Sequence, residues 1–210
     1  FYLCYCSAVP TSIDAQGAVN FQIGSWSNPN VSTSTYQNFT GVAPTSLYQN
    51  TTVSATVTLQ TGYTYRCRVF IDFNQDGDFA DAGEMNDLGL SSSTNPTTQT
   101  GNIVVPAGAL TGLTGMRLVV TDDDAANNPC YSSSYANVED YLVNIIPPPA
   151  CSGTPAAATA LTSAAYICPG SAAVLSLSGV PVETGYDYQW EESSDNVNFT
   201  PISGANSNTY

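Results

Sequence analysis

Val53, Ala55, Val57 and Leu59 alternate with Ser54, Thr56 and Thr58. Successive side chains of a strand point to opposite faces, so this pattern makes one buried and one wet face. Alternating or β-branched runs recur throughout, bounded by Gly, Pro, Asn and Ser, while helical periodicity is almost absent. The chain is therefore predicted to be all-β. Candidate strands cover 18–24, 33–40, 52–60, 63–72, 101–105, 115–121 and 138–146. Together they suit a β-sandwich first domain, jelly-roll-like, over residues 1–146.

Pro147, Pro148 and Pro149 fall in a linker, 147–150, and three prolines favour a semi-rigid extended spacer. A second domain is expected over 151–210, with strands near 172–178, 186–192 and 197–201. Tyr188-Gln189-Trp190 resembles the Trp-bearing central strand of an immunoglobulin-like sandwich. Such a sandwich takes about 100 residues. Residues 151–210 supply fewer, so this domain is read as lacking its last strands.

Charge narrows the function classes. Three Lys plus Arg stand against 17 Asp plus Glu, giving a net charge of −14, and there is no His or Lys. Nucleic acid and anionic membrane are bound through Lys and Arg, so both are disfavoured as partners. Without His there is no Ser-His-Asp triad, no His-activated thiol and no His-ligated zinc. Eleven of the 17 acids lie in 72–87, 122–124 and 139–140. Clustered carboxylates repel one another unless cations sit between them.

Six Cys and many Tyr, Thr, Ser and Asn suggest an oxidising, secreted setting, and six Cys allow 15 connectivities. No stretch is long and apolar enough for a helical membrane span. The chain opens on Phe1 without an initiating Met or a signal peptide, and is read as a mature or excerpted product. Asn30, Asn38, Asn50 and Asn198 head N-x-S/T sequons that could carry glycan.

The most informative segment for chemistry is Asp72-Phe73-Asn74-Gln75-Asp76-Gly77-Asp78, continuing through Asp81 to Glu84. Oxygen side chains recur at alternate positions around a glycine, and a carboxylate closes the run. Ca²⁺ takes about six to eight oxygens, which a short loop of this spacing can wrap around it. Asp72, Asn74 and Asp76 are the expected side-chain ligands, with Asp78 acting through its carbonyl and Glu84 closing the shell. Asp81 would bind directly or through water, and Gly77 permits the sharp turn. A strand precedes the loop, so this is not an EF-hand. The competing reading is a solvated acidic turn with no ion.

The same stretch, Val69 to Phe79 with Ala82-Gly83-Glu84, and Asn137-Val138-Glu139-Asp140-Tyr141 together resemble the GEVED domain. Tyr5-Cys6, Val105-Pro106-Ala107, Met116-Arg117-Leu118 and Pro129-Cys130 extend the resemblance over roughly residues 5–146. Gly-Glu-Val-Glu-Asp is here Ala136-Asn137-Val138-Glu139-Asp140, and Cys-Gly is Cys130-Tyr131. An amide at 137 can still offer an oxygen to calcium. Residues 151–210 resemble Ig-like or PKD-like repeats through Cys151-Ser152-Gly153-Thr154, Cys168-Pro169-Gly170 and Tyr188-Gln189-Trp190. The resemblance implies a piece of a modular bacterial surface protein without enzymatic activity.

Glu139 and Asp140 are expected either to complete this metal site or a second one, or to bond loop amides. Asp122 and Asp123, with Asp124, suggest a second Ca²⁺ site or a solvated acidic loop, with Arg66, Arg68 and Arg117 near enough to neutralise some of them. Cys6–Cys130 is the favoured disulfide, tying the first segment to the loop before the last strand. Cys151–Cys168 is expected as a local staple, and Cys4–Cys67 remains by elimination.

The leading expectation is a non-enzymatic extracellular structural protein, a calcium-stabilised subunit of a bacterial surface filament or adhesin stalk. Its partner would be further copies of itself, with residues 1–6 entering a neighbour's unfinished sandwich as a donor strand; Cys4 could then pair between subunits. The alternative is an accessory carbohydrate-binding module of a secreted enzyme, using exposed aromatics to stack on glycans.

Overall fold

The computed structural model describes residues 5–30, 33–122, 127–150, 157–168, 170–179 and 186–210. All regular elements among them are β-strands. The chain divides into two compact units, Phe1–Pro147 and Pro148–Tyr210.

The first unit is a β-sandwich. One sheet places β1 (Gly17–Ile23) between β2 (Trp26–Pro29) and β5 (Thr51–Gln60), with β8 (Thr97–Val105) beyond β5. The other runs β3 (Tyr36–Asn38), β10 (Ala136–Ile146), β9 (Gly112–Thr121), β6 (Arg66–Ile71) and β7 (Met85–Leu90). There β4 (Thr45–Tyr48) also pairs with β10, and both β3 and β4 run parallel to it.

The alternation read in the sequence is what joins the sheets. Phe21, Ala55, Val57 and Leu59 from one sheet share a single core with Cys67, Val69, Ile71, Met116, Leu118, Tyr141 and Val143 from the other. A smaller apolar cluster lies on the far face of the larger sheet. It gathers Phe70, Val119 and Val138 with Phe79, Tyr131 and Ala8 from the covering segments. Strands β6 and β9 are thus buried on both faces, the outer one mixing Phe70 and Val119 with Arg68 and Arg117. Where β7 meets β8, a Cβ added at Gly101 would lie 2.8 Å from the Leu88 carbonyl oxygen. Only glycine allows these two backbones to approach so closely.

Cys6 and Cys130 form a disulfide, with Cα atoms 5.6 Å apart. Cys67 is instead a free thiol facing the core, and Cys168 is a free, exposed one. Cys4–Cys67 and Cys151–Cys168 are therefore not formed, although Cys4 and Cys151 themselves lie outside the described residues. The inward face of β6 explains the first case, because that face packs against the opposite sheet.

The second unit contains two small hairpins. Strand β11 (Thr159–Thr162) pairs with β12 (Leu175–Ser178), and β13 (Glu191–Glu192) pairs with β14 (Thr200–Pro201). Trp190 donates its indole N–H to the Ser207 carbonyl at 2.9 Å. In the turn between β13 and β14, Asp195 accepts the backbone N–H groups of Val197 and Asn198, and these hold its carboxyl below the usual range. Among the described residues of this unit, Ala205 is the one buried apolar side chain.

Candidate metal loop and neighbouring sites

The loop between β6 and β7 begins inside the protein and turns outward. Asp72 is fully buried. Its carboxylate accepts the Tyr5 hydroxyl at 2.8 Å and the backbone N–H groups of Asp76 and Gly77. Glu84, buried at the other end, accepts the N–H groups of Phe73 at 3.0 Å and Asp81 at 3.3 Å. Burial pushes the Glu84 carboxyl up, against those two hydrogen bonds. These acids frame the loop from below. Gln75 (φ 57), Gly77 (φ 97) and Gly83 (φ 95) take left-handed conformations that fold the chain back between them.

The outward acids converge. Asp76, Asp78 and Asp81 each offer an oxygen within 4.8 Å of the others, and all three are exposed. Asn74 sits among them, donating its amide to Asp76 at 2.9 Å and Asp81 at 2.6 Å. That contact holds the Asp76 carboxyl below its ordinary range. The donor set is all oxygen, the chemistry a hard cation selects. Turning the Asn74 amide would add a fourth oxygen. The expected set therefore divides: Asp76 and Asp78 converge by their side chains, joined by Asp81, while Asp72 and Glu84 are taken up by backbone amides below.

Glu139 and Asp140 go elsewhere. As neighbours on β10 they point to opposite faces, so they cannot jointly complete one site. Glu139 lies inside, accepting the Tyr141 hydroxyl at 2.6 Å and the Asn30 amide at 3.2 Å. Asp140 lies on the far face, where Arg117 and the Tyr36 hydroxyl hold it. Arg117 also donates to the Cys6 and Pro129 carbonyls and lies over the Phe79 ring. It thus serves the disulfide-linked segments. Asn137 is buried with its oxygen on the Ala18 N–H and its amide on the Ser34 carbonyl. A glutamate could not make that donation, and the amide oxygen is not directed at the metal loop.

Asp122 is separate from the loop at 72–84 and shares a surface cavity with Asp14, while Asp123 and Asp124 lie outside the described residues. Arg66 pairs with Asp87 at 3.3 Å. Sequence reasoning missed Asp14, whose partner, the Tyr65 hydroxyl at 2.7 Å, is 51 residues away.

These strands, this loop and the Glu139-Asp140 pair are the parts of the chain that comparison with known proteins picks out. Residues 66–144 match the GEVED domain. The GEVED match runs from the first residue of β6 into β10 and so contains the whole candidate loop. Residues 157–210 match a domain of unknown function, DUF8696, rather than an Ig-like or PKD-like repeat. No curated protein matches the chain. Among solved structures, the CARDB domain of the PF1109 protein from Pyrococcus furiosus, in complex with di-metal ions, is 14% identical at a TM-score of 0.29. That alignment covers 65% of this chain and 95% of the other. So low a TM-score carries no weight for the first unit or its loop.

Proposed function

We propose that the first unit is a calcium-stabilised structural module of an extracellular bacterial surface protein, a filament subunit or adhesin stalk, without catalytic activity of its own. The observation that carries this reading is the convergence of Asp76, Asp78 and Asp81 above a frame set by Asp72 and Glu84. Asp76, Asp78, Asp81 and Asn74 would hold the ion, which would neutralise carboxylates that otherwise repel and so tie the two ends of the loop together. The Cys6–Cys130 disulfide suits the oxidising setting of such a protein.

Self-association is the partner reading that fits. In the second unit Leu161, Ile167, Val174 and Phe199 are each at least half exposed. A strand supplied by a neighbouring copy would cover apolar surface of this kind. Residues 1–6 as a whole do not serve as that donor, because Cys6 is bridged to Cys130 and Tyr5 is bonded to Asp72 within their own unit. Terbium luminescence in competition with calcium tests the metal, and electron microscopy with and without EDTA tests the assembly. Metal-dependent head-to-tail polymers support the reading. Discrete particles indifferent to EDTA count against the filament.

A further inference from the structure

A second cavity of the first unit, about 500 Å³, lies away from the metal loop and is lined by Asp14, Tyr63, Thr64, Ser93, Asp122 and Tyr135. Two carboxylates and two aromatic rings meet there, and no arginine lines it. Both rings are presented outward, Tyr63 at 61% exposure and Tyr135 at 44%.

Each part is held in place from behind. Tyr65 is buried in the core, and its hydroxyl donates to Asp14 at 2.7 Å. Burial and the two acids raise the Tyr65 hydroxyl well above its ordinary range, so it remains a donor. Tyr63 is fixed in a tight turn, its N–H donating to the Thr61 hydroxyl while that hydroxyl donates back to the Tyr63 carbonyl. Tyr135 has φ 53, a conformation side-chained residues rarely adopt. Its N–H donates to the Ser12 hydroxyl, and its carbonyl accepts the Asp122 N–H. The backbone positions from which both rings project are therefore set before any ligand arrives.

We propose that this cavity binds an organic ammonium ion, its cationic head against the faces of Tyr63 and Tyr135 and its charge answered by Asp14 and Asp122. The π-faces of tyrosine attract alkylated ammonium groups. Covering two carboxylates with a ligand costs their hydration, and a cationic ligand offsets that cost where a neutral one does not. The occupant is foreign to this chain, which has no Lys and whose Arg68 and Arg117 are buried and Arg66 engaged with Asp87.

The test is an NMR titration of the full chain with choline chloride, following the ring protons of Tyr63 and Tyr135. Sodium chloride, calcium chloride, 3,3-dimethylbutan-1-ol (the neutral carbon isostere) and chitotriose serve as comparisons. The expected result is a saturable shift with choline, at least tenfold weaker for the neutral alcohol and for both Tyr63→Ala and Asp14→Asn. Tyr63 is exposed in a turn, so its variant keeps the fold even if removing Asp14 disturbs Tyr65. Arms with phosphatidylcholine vesicles and with acetylated trimethyllysine amide separate a lipid headgroup from a modified side chain, and binding in either supports the proposal. No saturable choline shift, equal binding of the neutral alcohol, or a shift with calcium or chitotriose alone would overturn it.

Discussion

Arg117 grips Asp140 with both arms of its guanidinium, Nε to Oδ1 at 2.6 Å and Nη2 to Oδ2 at 2.8 Å. The third nitrogen reaches the Cys6 and Pro129 carbonyls at 2.8 and 2.9 Å. One side chain thereby fastens both disulfide-linked segments onto the outer face of β9 and β10. Removing one partner of a buried pair leaves the other charge uncompensated, at a cost of about 3–5 kcal/mol. Arg117→Met should lower unfolding free energy in urea by that amount, and Arg117→Met with Asp140→Leu should recover part of it. Equal stability of Arg117→Met and the parent would refute the clamp.

The Cys6–Cys130 bridge spans 124 positions of sequence. In the chain-entropy account, closing a loop of this size constrains the unfolded state by somewhat over 4 kcal/mol. Cys6→Ser should lower the thermal midpoint of the first unit clearly, and a reducing agent should do the same to the parent. A midpoint insensitive to both would mean that the bridge adds nothing beyond the Arg117 clamp.

Glu139 gives the chain a distinctive pH response. Burial pushes its carboxyl up to about 7, above its ordinary range. A group bound to its proton more tightly when folded contributes fully below its unfolded pKa, and that contribution is lost as pH rises through the folded value. With no His in the chain, few other groups titrate in that window. Stability in EDTA should therefore fall between pH 5 and pH 8, with Glu139 responsible for about 3 kcal/mol by linkage. Glu139→Gln keeps an acceptor for the Tyr141 hydroxyl and removes the charge. Its stability should vary less over that range, and a profile identical to the parent's would count against the buried-carboxylate reading.

Gly101 tests how closely the two sheets approach. A methyl group there meets the Leu88 backbone, which cannot move aside as a flexible side chain would. Gly101→Ala should destabilise by about 1–3 kcal/mol, measured by denaturant unfolding. A neutral effect would show that β7 and β8 separate more readily than their contact implies.

Much of the sandwich was legible because β5 alternates strictly, while β6 and β9 carry β-branched and apolar runs buried on both faces. Thr51–Gln60, Arg66–Ile71, Gly112–Thr121 and Ala136–Ile146 lie close to the predicted runs. The short edge strands Trp26–Pro29, Thr45–Tyr48 and Met85–Leu90 were not, being polar or broken by residues such as Gly89 at φ 105. In the loop, oxygen spacing located the acids but not their direction. Asp72 turns inward because Tyr5 and two backbone N–H groups meet it there, a contact 67 residues apart in sequence. Adjacent acids on a strand, Glu139 and Asp140, looked like a pair in one dimension. The pleat separates them.

The central claim is that a divalent cation joins Asp76, Asp78 and Asp81. Its most direct measurement is calorimetric titration of CaCl₂ into the EDTA-stripped chain, repeated on Asp76→Asn/Asp78→Asn/Asp81→Asn, with melting curves for each. Saturable binding and a raised midpoint in the parent, equivalent to about 2.7 kcal/mol at a hundredfold excess over Kd, should both vanish in the triple variant. No binding heat and an unchanged midpoint at millimolar calcium would contradict it.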